Sequence, residues 1–233
     1  MTQLTINNQA IQVQPGRTIL EACREHGIPI PTLCYHPALK PYGACRLCTV
    51  EITLPQRPLR LASACTYPCE EGLVVKTDTP AVLRSRRIMA ELLLAGSPES
   101  PELLALAEEL GVGEVRYRLP QQEQCILCGL CVRACEEIVG VSAISFAQRG
   151  IHKQVSPPFK IAASACIACG TCVLICPTGA IHLRDVSGPR ASLAVHGALH
   201  GDAAPLYCRA CADSDLSVQY FEDWALLASP RAK

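Results

Sequence analysis

One cysteine spacing, C-x2-C-x2-C-x3-C, occurs twice in the chain: at Cys125, Cys128, Cys131 and Cys135, and again at Cys166, Cys169, Cys172 and Cys176. Three thiols in such tight succession make the backbone curl around whatever they bind, with the sulfurs inward and the amides close behind. The fourth cysteine lies too far along to close on the same centre. In chains that hold two iron–sulfur clusters, it ligates the other one. The spacing therefore predicts two [4Fe–4S] centres with crossed ligands. Cys125, Cys128, Cys131 and Cys176 form one set, and Cys135, Cys166, Cys169 and Cys172 form the second. Two four-cysteine zinc sites are the competing reading, but zinc ribbons separate their cysteine pairs by many residues. Two copies are too few for a solenoid and point to a duplicated small unit. Gly129, Gly170 and Gly179 suit close backbone approach to a cluster. Pro177 follows the second copy whereas Glu136 follows Cys135, a difference in local polarity able to separate the two reduction potentials.

The remaining cysteines need a compartment before they can be interpreted. There are 16 in 233 residues, below the roughly 8–10% of short disulfide scaffolds. The N-terminus is polar, with no basic region leading into an apolar one, so no secretory signal is expected. No run approaches the roughly 18 apolar residues of a membrane span. The expected setting is cytoplasmic, where thiols stay reduced and clustered cysteines are metal ligands. Twenty-one Lys+Arg balance 21 Asp+Glu, which gives no electrostatic case for nucleic acid or an anionic membrane as partner. G-x-G-x-x-G and G-x4-G-K-[ST] are both missing. No nucleophile-and-base pattern can be named, so no catalytic residue is expected and the chemistry belongs to cofactors.

The expected fold class is α+β, in four parts. Residues 1–79 show period-two alternation on either side of Asn7 and Asn8, a hairpin signal. Helical spacing follows over residues 18–26 and stops at Gly27. Further strands are expected at residues 49–53 and 73–77. Hairpin, helix and two more strands match a β-grasp sheet with one packed helix. It carries a third cysteine group, C-x10-C-x2-C-x16-C, at Cys34, Cys45, Cys48 and Cys65. Plant-type [2Fe–2S] sites use C-x4-C-x2-C and a distant fourth cysteine. Here Gly43 and Ala44 leave room for amides to approach sulfide, and Cys69 is an alternative fourth ligand. Residues 80–119 predict a helical linker, with Thr79-Pro80 and Ser100-Pro101 as helix starts. Arg84, Arg86 and Arg87 are expected on its solvated face. Residues 120–186 form the two-[4Fe–4S] domain. Residues 187–233 form an extension, ending in an acidic-aromatic stretch expected to be extended or poorly ordered. Cys23 is expected in the core of the packed helix, and His36 in a turn beside Pro37. Cys208 and Cys211 are open between half a site completed by a partner, a redox pair and two idle thiols. A glycine-containing context argues against a metal site at His196 and His200.

Three segments carry a family resemblance: Ile28-Pro-Ile-Pro-Thr-Leu-Cys34-Tyr-His-Pro, Gly43-Ala-Cys45-Arg-Leu-Cys48 and Ala64-Cys65-Thr. Joined to the double motif, they resemble the diaphorase small (iron–sulfur) subunit of soluble NAD-reducing hydrogenases. The N-terminal region of the complex I large iron–sulfur subunit is similar. So are regions of NAD-linked formate dehydrogenases and iron-only hydrogenases. The resemblance covers about residues 1–186. It implies Cys65 rather than Cys69 as fourth [2Fe–2S] ligand, because Ala62-Ser-Ala-Cys65-Thr matches the family segment. It implies an electron-transfer subunit between a flavin/NAD(P)-binding diaphorase subunit and a separate catalytic redox subunit of hydrogenase or formate dehydrogenase type. A scaffold whose clusters only hold shape, and a relay for a tungsten or molybdenum aldehyde-type or complex I-like enzyme, are the alternatives. One departure is sharp. Many relatives carry His-x3-Cys-x2-Cys-x5-Cys between the two regions, holding another [4Fe–4S] cluster. Residues 70–124 contain no Cys and no His, so that site is absent and Leu-rich helices take its place.

Overall fold

Alternation in Thr2–Ile6 (β1) and Gln9–Val13 (β2) sends Leu4, Ile6, Ile11 and Val13 to one buried face. Asn7 and Asn8 join the two strands because both adopt positive φ, 47° and 71°, which a tight primed turn requires. The protein is described here from a computed structural model covering residues 1–55, 57–117, 119, 124–157, 166–167 and 169–181. Cys208, Cys211, His196, His200 and the rest of the 187–233 extension lie outside the described residues.

The hairpin is half of a mixed five-stranded sheet. Thr49–Leu54 (β3), Arg57–Ser63 (β4) and Val74–Lys76 (β5) complete it in the order β2-β1-β5-β3-β4. Only β1 and β5 run parallel, with Thr5 opposite Val74. α1 (Ile19–Glu25) starts at a capping box. Glu21 N donates to Thr18 Oγ1 at 3.3 Å, and Thr18 N donates to Glu21 Oε2 at 2.8 Å. Ile19, Leu20, Ala22 and Cys23 of α1 bury against Leu4, Ile6, Val50, Leu73 and Val75 of the sheet region. Cys23 is thus a core residue, as its helical position predicts. Leu20 is fully buried, so Leu20→Ala is expected to lower unfolding free energy by about 2–5 kcal/mol. Urea denaturation of the apo-protein, with a shifted midpoint and unchanged slope, measures it.

β4 is a strand the sequence does not announce. Its residues are mostly exposed, and it contains Pro58. It lies at the sheet edge, and its pairing with β3 skips between Arg57 and Arg60. An edge position and a bulge are where a strand tolerates a proline without N–H.

Two helices follow. α2 (Pro80–Gly96) is capped by Thr79 and α3 (Pro101–Glu109) by Ser100, each with proline in its first turn. Arg84 and Arg87 are exposed as expected. Arg86 is not: only 5% of it is accessible. It shares a helical stripe with Val82 and Ala90, four residues to either side, and α2 packs that stripe towards β3. Glu91 is also buried. Arg116 donates to it from its backbone N at 2.7 Å and from its guanidinium Nη2 at 2.7 Å. Those hydrogen bonds hold the Glu91 carboxyl below the usual carboxylate range. Leu94, Leu103 and Ala107 form a small apolar core joined by Leu33 and Ile126. This core touches the sequence neighbours of both Cys34 and Cys125.

The chain divides into two compact units, Met1–Cys128 and Gly129 onwards. The helices α2 and α3 belong to the first, with the sheet. In the second, α4 (Leu130–Arg133) runs into a wider π-helical turn at Ala134–Ile138. A short hairpin follows, β6 (Ser145–Ala147) with β7 (Gln154–Ser156). α5 (Thr171–Leu174) packs against α4. The two repeats are thus built alike, each with a four-residue helix after a left-handed glycine: Gly129 at φ 76° and Gly170 at φ 75°. They diverge after the fourth cysteine. Glu136 continues the helical turn, whereas Pro177 has no N–H with which to do so. The α+β class is as expected. Among the described residues, no helix is long and apolar enough to cross a membrane.

Candidate metal centres

The first centre is built at one end of the sheet by three segments. Cys34 comes from the chain after α1, Cys45 and Cys48 from the loop entering β3, and Cys65 from just beyond β4. The loop is fixed at both ends. Gly43 adopts φ 70°, and a Cβ there would meet Thr66 Cγ2 at 3.2 Å. Arg46 takes positive φ, 60°. Its side chain donates to Ser63 Oγ at 2.8 Å, and its carbonyl accepts from Thr49 Oγ1 at 2.6 Å. Along the loop, Tyr42, Ala44 and Arg46 face solvent while Gly43, Cys45 and Leu47 face inward. Ala64 N donates to Cys48 O at 3.0 Å, which brings the next residue, Cys65, alongside Cys48.

All four thiols are buried, and they stand as two pairs. Cys45 N donates to Cys34 Sγ at 3.4 Å, and the sulfurs of Cys48 and Cys65 are 3.4 Å apart. The hydrogen bond shared by the second pair pulls the Cys48 thiol down to about 7 and pushes Cys65 up. Cys45 is pushed up by its hydrogen bond with Cys34 and by burial. Cys65 also feels the charges of Cys48, Cys34 and Cys45. The thiolate is the metal-binding form.

Cys69 belongs elsewhere. Its backbone N donates to Arg17 O at 2.8 Å, which ties it to the start of α1. Burial raises it to about 11, with Glu21 and Glu25 as its charged neighbours. Cys23 is raised to about 12, by burial and then by Cys69. Cys69 and Cys23 are neighbours in the core. His36 Nδ1 accepts from Ala38 N at 3.2 Å, and its carbonyl accepts from Leu39 N at 3.1 Å. That is the turn expected beside Pro37.

The second centre lies within the second unit. A cavity there is lined by Cys135, Cys166, Cys169 and Cys172, with Val139, Val141, Ala143 and Ile144 as apolar wall. Cys172 is raised to about 12, first by burial and then by Cys169, Cys135 and Cys166. Cys135 therefore stands with the cysteines of the other repeat. Two backbone amides serve the fourth cysteines in equivalent ways: Ala143 N donates to Cys135 Sγ at 3.2 Å, and Ala180 N to Cys176 Sγ at 3.3 Å. Cys125 and Cys128 end the first unit, Cys131 lies on α4, and Cys176 follows α5.

Sulfurs that stand in pairs, or around an apolar cavity, suit a core of several atoms.

Two family models match the chain: a 2Fe-2S iron-sulfur cluster binding domain over residues 1–80 and a 4Fe-4S dicluster domain over residues 124–180. An NADH-quinone oxidoreductase subunit of Rhizobium meliloti (strain 1021) is 35% identical over 207 residues, 78% of this chain and 24% of that protein. NADP-reducing hydrogenase subunit HndD of Solidesulfovibrio fructosivorans is 33% identical over 212 residues, 78% of this chain and 36% of that protein. The chain thus spans about a quarter to about a third of the length of these curated relatives. A chain in the crystal structure of an NAD+-reducing [NiFe]-hydrogenase in the H2-reduced state superposes with a TM-score of 0.67 at 30% identity. The match covers 77% of this chain and 86% of that one.

Proposed function

We propose that this chain, which belongs to the family of iron–sulfur electron-transfer subunits found in NAD-linked hydrogenases and complex I, relays single electrons between a flavin/NAD(P) subunit and a separate catalytic subunit of hydrogenase or formate dehydrogenase type. The setting would be cytoplasmic. The carrying observation is the gathering of Cys135 with Cys166, Cys169 and Cys172 around one cavity.

Cys34 and Cys45 would hold one iron of a [2Fe–2S] centre, and Cys48 and Cys65 the other. Cys135, Cys166, Cys169 and Cys172 would hold one [4Fe–4S] centre. Cys125, Cys128, Cys131 and Cys176 would hold a second. Such clusters supply reversible storage of one electron at a time, at potentials set by charge, hydrogen bonds to sulfur and exposure. The chain's own part is to bury the thiolates, keep water away and direct amides at sulfur, as Cys45 N, Ala143 N and Ala180 N do. Residues 1–79 would form the [2Fe–2S] domain and 120–186 the two-[4Fe–4S] domain, with 80–119 as a helical linker and 187–233 as an extension. The apolar core of Leu94, Leu103 and Ala107 anchors Leu33, next to Cys34, and Ile126, next to Cys125.

Anaerobic iron and acid-labile sulfide analysis should return about ten irons per chain, from one [2Fe–2S] and two [4Fe–4S] centres. NADH or NADPH should reduce them when the co-purifying flavin subunit is present. Zinc without sulfide would end the cluster assignment. Clusters silent to dithionite would leave only a shape-holding role.

A further inference from the structure

Arg86 is the one arginine of the α2 run that points inward. It is 5% accessible. Its Nη2 donates to the carbonyl of Thr49 at 3.0 Å, and Thr49 directly follows Cys48. Its Nε has no hydrogen-bond partner. No carboxylate forms an ion pair with it among the described residues. Burial lowers its pKa, while Cys48, then Asp78 and Cys23, act in the opposite sense. A guanidinium keeps its proton in proteins. Here, then, a fixed positive charge is buried beside a proposed ligand cysteine, with no carboxylate in ion-pair contact among the described residues and Asp78 acting on it only from further off. Such a charge is strongly destabilising when left unpaired. It is tolerable when its surroundings supply negative charge.

We infer that Arg86 is the counter-charge of the [2Fe–2S] centre and raises its reduction potential. The inference rests on the assignment of Cys34, Cys45, Cys48 and Cys65 to that centre. One-electron reduction adds one negative charge to a group of thiolates that is already anionic, and no proton need follow. A buried cation nearby stabilises the reduced form more than the oxidised form, because attraction grows with the charge and is weakly screened inside a protein. Its hydrogen bond to Thr49 O holds that cation beside Cys48.

The test is a redox titration of the full chain, reduced with dithionite and followed by the [2Fe–2S] electron paramagnetic resonance signal, in wild type, Arg86→Gln, Arg86→Met and Arg86→Lys. Gln keeps a donor for the Thr49 carbonyl without charge, Met keeps bulk alone, and Lys keeps the charge. At fixed ambient potential, the reduced-to-oxidised ratio should fall at least tenfold in the Gln and Met variants, a midpoint about 59 mV lower for a one-electron couple. Lys should restore it. Retention of the centre by Lys but not by Gln or Met would also support the counter-charge. Equal midpoints in Gln and wild type would overturn the inference, as would loss of the centre from all three variants. A wild-type chain with no such signal would instead overturn the ligand assignment beneath it.

Discussion

Cys135→Ala is expected to remove the cluster of Cys166, Cys169 and Cys172, its distant partners, and to spare the one bound by its sequence neighbours Cys125, Cys128 and Cys131. Iron content should fall from about ten to about six per chain, the loss of one [4Fe–4S] centre. The reason is where the thiol stands. Cys135 lies in the turn that continues α4, yet its sulfur lines the cavity with the three cysteines around α5. It accepts from Ala143 N at 3.2 Å, so its rotamer is held by the segment beyond the turn. Alanine leaves an apolar wall of Val139, Val141, Ala143 and Ile144 with three thiolates, one short of a full ligand set. Alanine is preferable to serine, whose oxygen can itself bind iron. Cys172→Ala serves as reference: its paramagnetic spectrum should superpose on that of Cys135→Ala, while Cys128→Ala and Cys176→Ala should share a different one. A Cys135→Ala spectrum matching that of Cys128→Ala would overturn the crossed assignment.

The expectation of crossed ligation comes from the sequence alone, because a short cysteine run leaves its fourth thiol too far along to close on the same centre, and the cavity shared by Cys135 with Cys166, Cys169 and Cys172 supports one half of it. Helix starts were legible for a similar reason. Thr79 with Pro80 and Ser100 with Pro101 are local signals, complete within a few residues. What escaped depends on contacts distant in sequence. β4 has no alternating apolar face, and its strand character comes from pairing with β3, which the composition of Arg57, Pro58 and Arg60 does not show. The hairpin of β6 and β7 has three residues a side, too few for periodicity to register. Arg86 was masked by its neighbours. Three arginines within four residues look like a solvated face, and only the stripe through Val82 and Ala90 hints that the middle one turns inward. Its destination, the Thr49 carbonyl, is on another element altogether.

The choice between Cys65 and Cys69 was the least legible part of the first centre, since four residues separate two buried cysteines and spacing does not decide. Backbone pairing separates them. Ala64 N bonds to Cys48 O and sets Cys65 beside Cys48, whereas Cys69 N bonds to Arg17 O and sets its thiol beside Cys23 in the core. Cys65→Ala should therefore abolish the [2Fe–2S] spectrum and lower iron by about two atoms per chain. Cys69→Ala should keep both. It should cost only about 1 kcal/mol of apo-protein stability, as small buried truncations do, because the position is core packing with no partner at the iron site. Visible circular dichroism of the oxidised protein reads the first effect, and urea denaturation of the apo-protein the second. If Cys69→Ala lost the spectrum while Cys65→Ala retained it, the segment after β4 would have to shift by one helical turn's worth of residues to bring Cys69 to Cys48. The bonds from Ala64 N to Cys48 O and from Leu20 N to Ala64 O, both 3.0 Å, would then have to break. Those two bonds are why Cys65 is the expected ligand.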